Sequence, residues 1–136
     1  MLYVQAKRRR GAMAIETALL LPLLVLLIFG MIEFGLLLYN RQVLTNASRE
    51  GARAGIVQDT PRVPDSEIIN VVDQYCADRL VTFGSANTPS TNITREGDDF
   101  GDDLTVSVSY DYSFLVMTNF GFGPIALVAQ TVMRME

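Results

Sequence analysis

The chain has 136 residues, a net charge of −4 at pH 7, one cysteine and no histidine. That length allows one small domain plus an attached segment. Without imidazole the commonest general base and the usual zinc sites are excluded, and a lone Cys76 excludes an intramolecular disulfide, so no enzyme, cofactor or resident metal is expected.

The charge is unevenly spread. Lys7, Arg8, Arg9 and Arg10 make the start basic, whereas residues 40–136 carry 13 acidic and 7 basic side chains. Between Ala12 and Tyr39 only Glu16 and Glu33 are charged. As helix this stretch is about 42 Å long, enough for one bilayer crossing with a glutamate near each edge. Basic residues before the span and an acidic remainder after it predict a cytoplasmic N-terminus and an extracytoplasmic C-terminus. The apolar run is longer than the core of a secretory signal peptide, and the small pair Gly11-Ala12 lies before it rather than after it.

No turn signal ends the span. From Tyr39 to Thr60 the chain has no proline, and Val43, Leu44, Ala47, Gly51, Ala54 and Val57 recur at three-and-four spacing. One helix from about residue 12 to about residue 57 is expected, its first half in lipid and its second projecting outside, with a kink at Pro22 where the ring crowds the Ala18 carbonyl. "DTPRVP" breaks it. "DSEIINVVDQYCADRL" reads as a second amphipathic helix, capped by Asp65 or Ser66, with Ile68, Ile69, Val72, Tyr75, Cys76 and Leu80 on one face. Gly84 to Asp103 reads as a long polar loop. "LTVSVSYDYSF" alternates cleanly, with Leu104, Val106, Val108, Tyr110, Tyr112 and Phe114 on one face, and "IALVAQTVMRM" makes a last strand. The expected class is α+β: a long N-terminal helix carrying one further helix and a small antiparallel sheet.

The string Gly11-Ala12-Met13-Ala14-Ile15-Glu16 places a glutamate fifth after a glycine behind a basic leader. This resembles the prepilin-peptidase site of type IV pilins, and the short leader is similar to that of the Flp/Tad subclass. The likeness extends through the E-x-A-L-x-L-P core from Glu16 to Pro22, the segment Ile32-Glu33-Phe34-Gly35 and the block "ASREGARAG" from Ala47 to Gly55. The final "TVMRME" fits as well. Together these resemble the TadE-like family. Thr17 stands where pilins of that subclass usually carry tyrosine, which fits a pseudopilin better than the major subunit.

The resemblance implies a minor pilin-like subunit of the Tad/Flp pilus, cut after Gly11 by a prepilin peptidase. Its partners would be that peptidase, other pilins and the inner-membrane assembly platform, together with the lipid bilayer; no nucleic acid is expected. The chain then divides into a leader (1–11), a transmembrane half-helix (12–39), a projecting half-helix (40–57) and an extracytoplasmic α/β domain (58–136). A filament-forming major pilin and an uncut single-pass anchor with a binding domain are the competing readings.

Each feature also has a plainer explanation. Glu16 either snorkels to water or neutralises the new ammonium of Ala12 on a neighbouring subunit. Lys7 to Arg10 set topology whether or not a peptidase reads them. Glu33 either marks the outer interface or touches a partner helix. Arg49 and Arg53 share a helical face beside Glu50 and the small-residue stripe of Ala47, Gly51 and Gly55, so this face docks either on its own sheet or on another subunit. "EGDDFGDD" has carboxylates suited to a hard cation but not the spacing of a calcium loop, so a solvated turn is expected.

Overall fold

The computed structural model describes residues 2–57, 61–83 and 87–136, and for residues 2–12 it describes the backbone alone. Helix α1 runs Leu2–Gly55, passing through Pro22. It starts ten residues before the expected Ala12, because the leader holds no proline and Gly11 by itself costs a helix only about 1 kcal/mol. The Pro61–Pro64 segment is irregular, and α2 follows at Asp65–Ala77. The capping expectation needs correcting. Pro64, extended at ψ 151°, holds the N-cap position without a side-chain cap, and Asp65 and Glu67 lie in the first turn, where they complement the helix dipole.

Three antiparallel strands follow: β1 (Ser90–Arg95), β2 (Asp103–Tyr112) and β3 (Ile125–Arg134), in the order β1-β2-β3. In register, Ile93 faces Val106, and Leu104 pairs with both Arg95 and Met133. Strand β1 lies inside the stretch read from sequence as a polar loop. "STNITR" carries one large apolar residue, so it shows little amphipathic pattern, and it is the edge pairing with β2 that makes it a strand. Strand β2 matches its expected alternation: Leu104, Val106, Val108, Tyr110 and Tyr112 are buried, and Phe114 follows the strand, edge-on to Tyr112.

The architecture is α+β and pilin-like, with the sheet and α2 laid along one side of the long helix. The core joins Val43, Leu44, Ala47 and Ala52 of α1 to Ile68, Val72 and Cys76 of α2 and to the inner face of β2 and β3. On α1 the covered positions run Leu26, Gly30, Glu33, Leu37, Asn40, Leu44, Ala47, Gly51 and Gly55. Steps of three and four keep them on one stripe about 43 Å long. The domain therefore covers more than the projecting half of α1. It also reaches down onto the last part of the apolar run.

Candidate functional site

The free surface of α1 begins where the domain ends. Every described side chain from Met13 to Val25 is exposed, with Leu19 at 73% and Leu23 at 63%. By length and composition this is a helix able to cross a membrane. An apolar surface of that size is covered by lipid or by protein when the chain is in its working state. Ala14, Thr17 and Ala18, flanked by Met13 and Leu21, leave a shallow apolar groove along one face. Thr17 donates its hydroxyl back to the Met13 carbonyl at 2.9 Å. Glu16 is exposed in this region, and among the described residues it has no ion-pair partner. The side chains of Lys7, Arg8, Arg9, Arg10, Gly11 and Ala12 lie outside the described residues.

At the other end of the apolar run Glu33 is engaged by its own chain. It is 2% exposed, and its carboxylate accepts the backbone amides of Val116 and Met117, the latter at 3.2 Å. These amides open a short 3-10 helix, Met117–Phe120, whose first N–H groups have no internal partner. Glu33 thus caps a loop of its own chain. Its backbone carbonyl also lies 3.5 Å from the Tyr112 hydroxyl. Burial, then the Glu33 charge and Tyr110, push the Tyr112 phenol above its ordinary range.

Asn40, next but one on the buried stripe, makes an equivalent polar link to the segment after α2. Its amide donates to the Val81 carbonyl at 2.6 Å and its oxygen accepts the Val81 amide at 2.9 Å. Ser48 donates to the Thr45 carbonyl at 2.9 Å and meets the Thr131 hydroxyl at 2.8 Å, tying α1 to β3. Neither residue stands out by type. The available signal was position, since polar residues at buried steps of a helical stripe require partners.

In the block Arg49-Glu50-Gly51-Ala52-Arg53-Ala54-Gly55 the two kinds of residue separate. A Cβ on Gly51 would lie 2.6 Å from Val72 Cγ2, and one on Gly55 would lie 2.5 Å from Leu104 Cδ2 and 2.6 Å from Ile68 Cδ1. Both glycines let α1 approach α2 and β2 at near-backbone distance. Arg49, Glu50 and Arg53 are exposed on the opposite side, with no ion pair among the described residues. The small residues therefore serve this chain's own core, and the charges form an open polar face.

The acidic turn is held by local bonds. Asp102 accepts the Asp99 amide at 3.0 Å, and Asp98 and Asp65 lie 3.4 Å and 2.8 Å from the Arg95 guanidinium. Among the described residues no group of three or more His, Cys, Asp or Glu side chains is placed to hold a metal. Cys76 is 1% exposed, and its thiol is pushed up to about 11, mainly by burial and next by Asp73, with Arg79 pulling the other way. It is a protonated core side chain at neutral pH.

No curated protein and no solved structure matches the chain. Residues 11–53, the segment that holds Glu16, Glu33 and Gly51, match the model of the family described as TadE-like protein. Over that segment, about a third of the chain, the sequence is similar to TadE-like proteins.

Proposed function

We propose that the chain is a minor pilin-like structural subunit, a pseudopilin, that takes part in assembling a Tad/Flp pilus. It is held in the bacterial cytoplasmic membrane by α1, with the basic leader inside and the α/β domain outside. A prepilin peptidase cuts after Gly11, freeing an ammonium at Ala12. The observation that carries this reading is the exposed, apolar first half of α1, with Glu16 lacking an ion-pair partner among the described residues, within a segment similar to TadE-like proteins.

One helical turn separates Glu16 from Ala12, so the carboxylate of one subunit can neutralise the new N-terminus of another when helices pack side by side. Left unpaired at membrane depth, a carboxylate costs on the order of 3 kcal/mol, so pairing gives assembly a strong bias. The groove of Ala14, Thr17 and Ala18 supports close helix approach, because small residues let membrane helices meet at short distance. Chemistry plays no part in this role, and the exposed Arg49, Glu50 and Arg53 are left for contacts outside the membrane.

Co-purification from native membranes tests the role. A tagged wild-type chain is expected to bring down other Tad pilins, and Glu16→Ala to lose them by about a hundredfold, the factor matching the cost above. Equal recovery with Glu16→Ala would sink the pairing mechanism. Failure of the wild-type chain to recover any pilin would sink the role itself.

A further inference from the structure

The connection between β2 and β3 is unusual for a surface loop. From Tyr112 to Met133 the chain carries no charged residue. Leu115, Phe120, Phe122 and Ile125 are exposed, the two phenylalanines at 58% and 59%. The loop is seated on the apolar run of α1: Val116 and Phe120 line a cleft with Pro22, Leu23, Val25, Leu26 and Phe29, and Met117 Cε lies 3.3 Å from the Cβ position of Gly30. From Glu33 down to Leu26 is about 10 Å along the helix, so the loop occupies the same level as side chains that must face lipid.

Its backbone is also prepared for a dry setting. The amides of Val116 and Met117 go to Glu33, those of Asn119, Gly121 and Phe122 bond to carbonyls within the loop, and the Thr118 hydroxyl bonds to the Phe114 carbonyl at 2.6 Å. An unsatisfied backbone polar group in hydrocarbon costs several kcal/mol, so a loop that reaches the leaflet must bond its polar groups within the protein. Leu115, Phe120 and Phe122 point outward while these amides bond inward, an arrangement that suits contact with lipid.

We propose that the Phe114–Ile125 loop dips into the bilayer leaflet on the domain side, placing Leu115, Phe120 and Phe122 among lipid acyl chains. The domain is then held down at two points, by α1 and by this loop, and Glu33 is the polar latch between them. Withdrawal from the membrane during assembly would uncover a ready apolar surface. The inference rests on α1 being the membrane span, and its test separates the two.

The chain contains no tryptophan, so single replacements report their own surroundings. Phe120→Trp, Phe122→Trp, Leu24→Trp on the span and Phe100→Trp at the far end of the sheet are each placed in the full chain. All four go into phosphatidylcholine–phosphatidylglycerol vesicles with bromine on the acyl chains. The proposal predicts that Phe120→Trp and Phe122→Trp lose at least half their emission, as Leu24→Trp does, while Phe100→Trp is unaffected. Quenching of Leu24→Trp alone would overturn the dipping loop and leave the span standing. An unquenched but blue-shifted Phe120→Trp would overturn it in favour of burial against a second copy. No quenching at any position would overturn both the loop and the span.

Discussion

Glu33 and Met117 are 84 residues apart in the chain and joined by a 3.2 Å bond from the Met117 amide to the Glu33 carboxylate. With the neighbouring bond from Val116, a single carboxylate in the long helix fixes where the β2–β3 loop lies. Glu33→Ala leaves two amides without an acceptor and should lower stability in detergent by about 3 kcal/mol. Glu33→Gln keeps one good acceptor and should lose about half as much. Hydrogen exchange at Val116 and Met117 reads the effect locally, and unchanged protection in Glu33→Ala would refute the capping role.

The glycines of α1 make an opposite pair of cases. Gly51→Val and Gly55→Val press methyl groups into Val72, Ile68 and Leu104 and should each cost about 2 kcal/mol or more by overpacking. Gly35 has no atom within 4 Å of its Cβ position, and Gly35→Ala should raise helix stability by up to about 1 kcal/mol. Thermal unfolding of the three variants distinguishes a packing requirement from a general need for glycine.

Asn40 gives a third case. Asn40→Ala orphans both polar groups of Val81 and should cost about 2 kcal/mol, with loss of exchange protection at the Val81 amide. Asn40→Leu should cost as much, because volume does not replace the bonds.

Stability should also depend on pH through Cys76. Its thiol is raised from 9.0 to about 11 in the folded chain, so below pH 9 both states are protonated and the group has no effect. Above that the unfolded chain loses the proton first and binds fewer protons than the folded chain, so stability falls as pH rises from 9 to about 11. The loss is on the order of 2 kcal/mol. Subtracting the profile of Cys76→Ala removes the contribution of the tyrosines and isolates this fall. A Cys76→Ala profile parallel to wild type across that window would contradict it.

Much of this was legible in the sequence, for identifiable reasons. Leu104 to Tyr112 alternate strictly, and a half-buried strand is the one structure that satisfies that pattern. The long helix followed from a continuous apolar and then amphipathic run interrupted only by Pro22, and the small stripe of Ala47, Gly51 and Gly55 forecast close packing that the core then uses. What was not legible depends on partners distant in sequence. Strand β1 exists because β2 offers it an edge, and "STNITR" by itself carries no such information. The acceptor role of Glu33 depends on amides in a loop with no motif. Its position on the stripe with Gly30, Leu37 and Asn40 was the available clue, since a charge on a buried face must have a partner.

The central claim is that this chain follows the pilin pathway, and processing tests it most directly. The measurement is the intact mass and N-terminal sequence of the protein from its native membrane, with and without the resident prepilin peptidase. The account predicts a mature chain that begins at Ala12 only when the peptidase is present. A chain that keeps its leader in both membranes would contradict it, and would leave a membrane-anchored binding domain as the reading that fits.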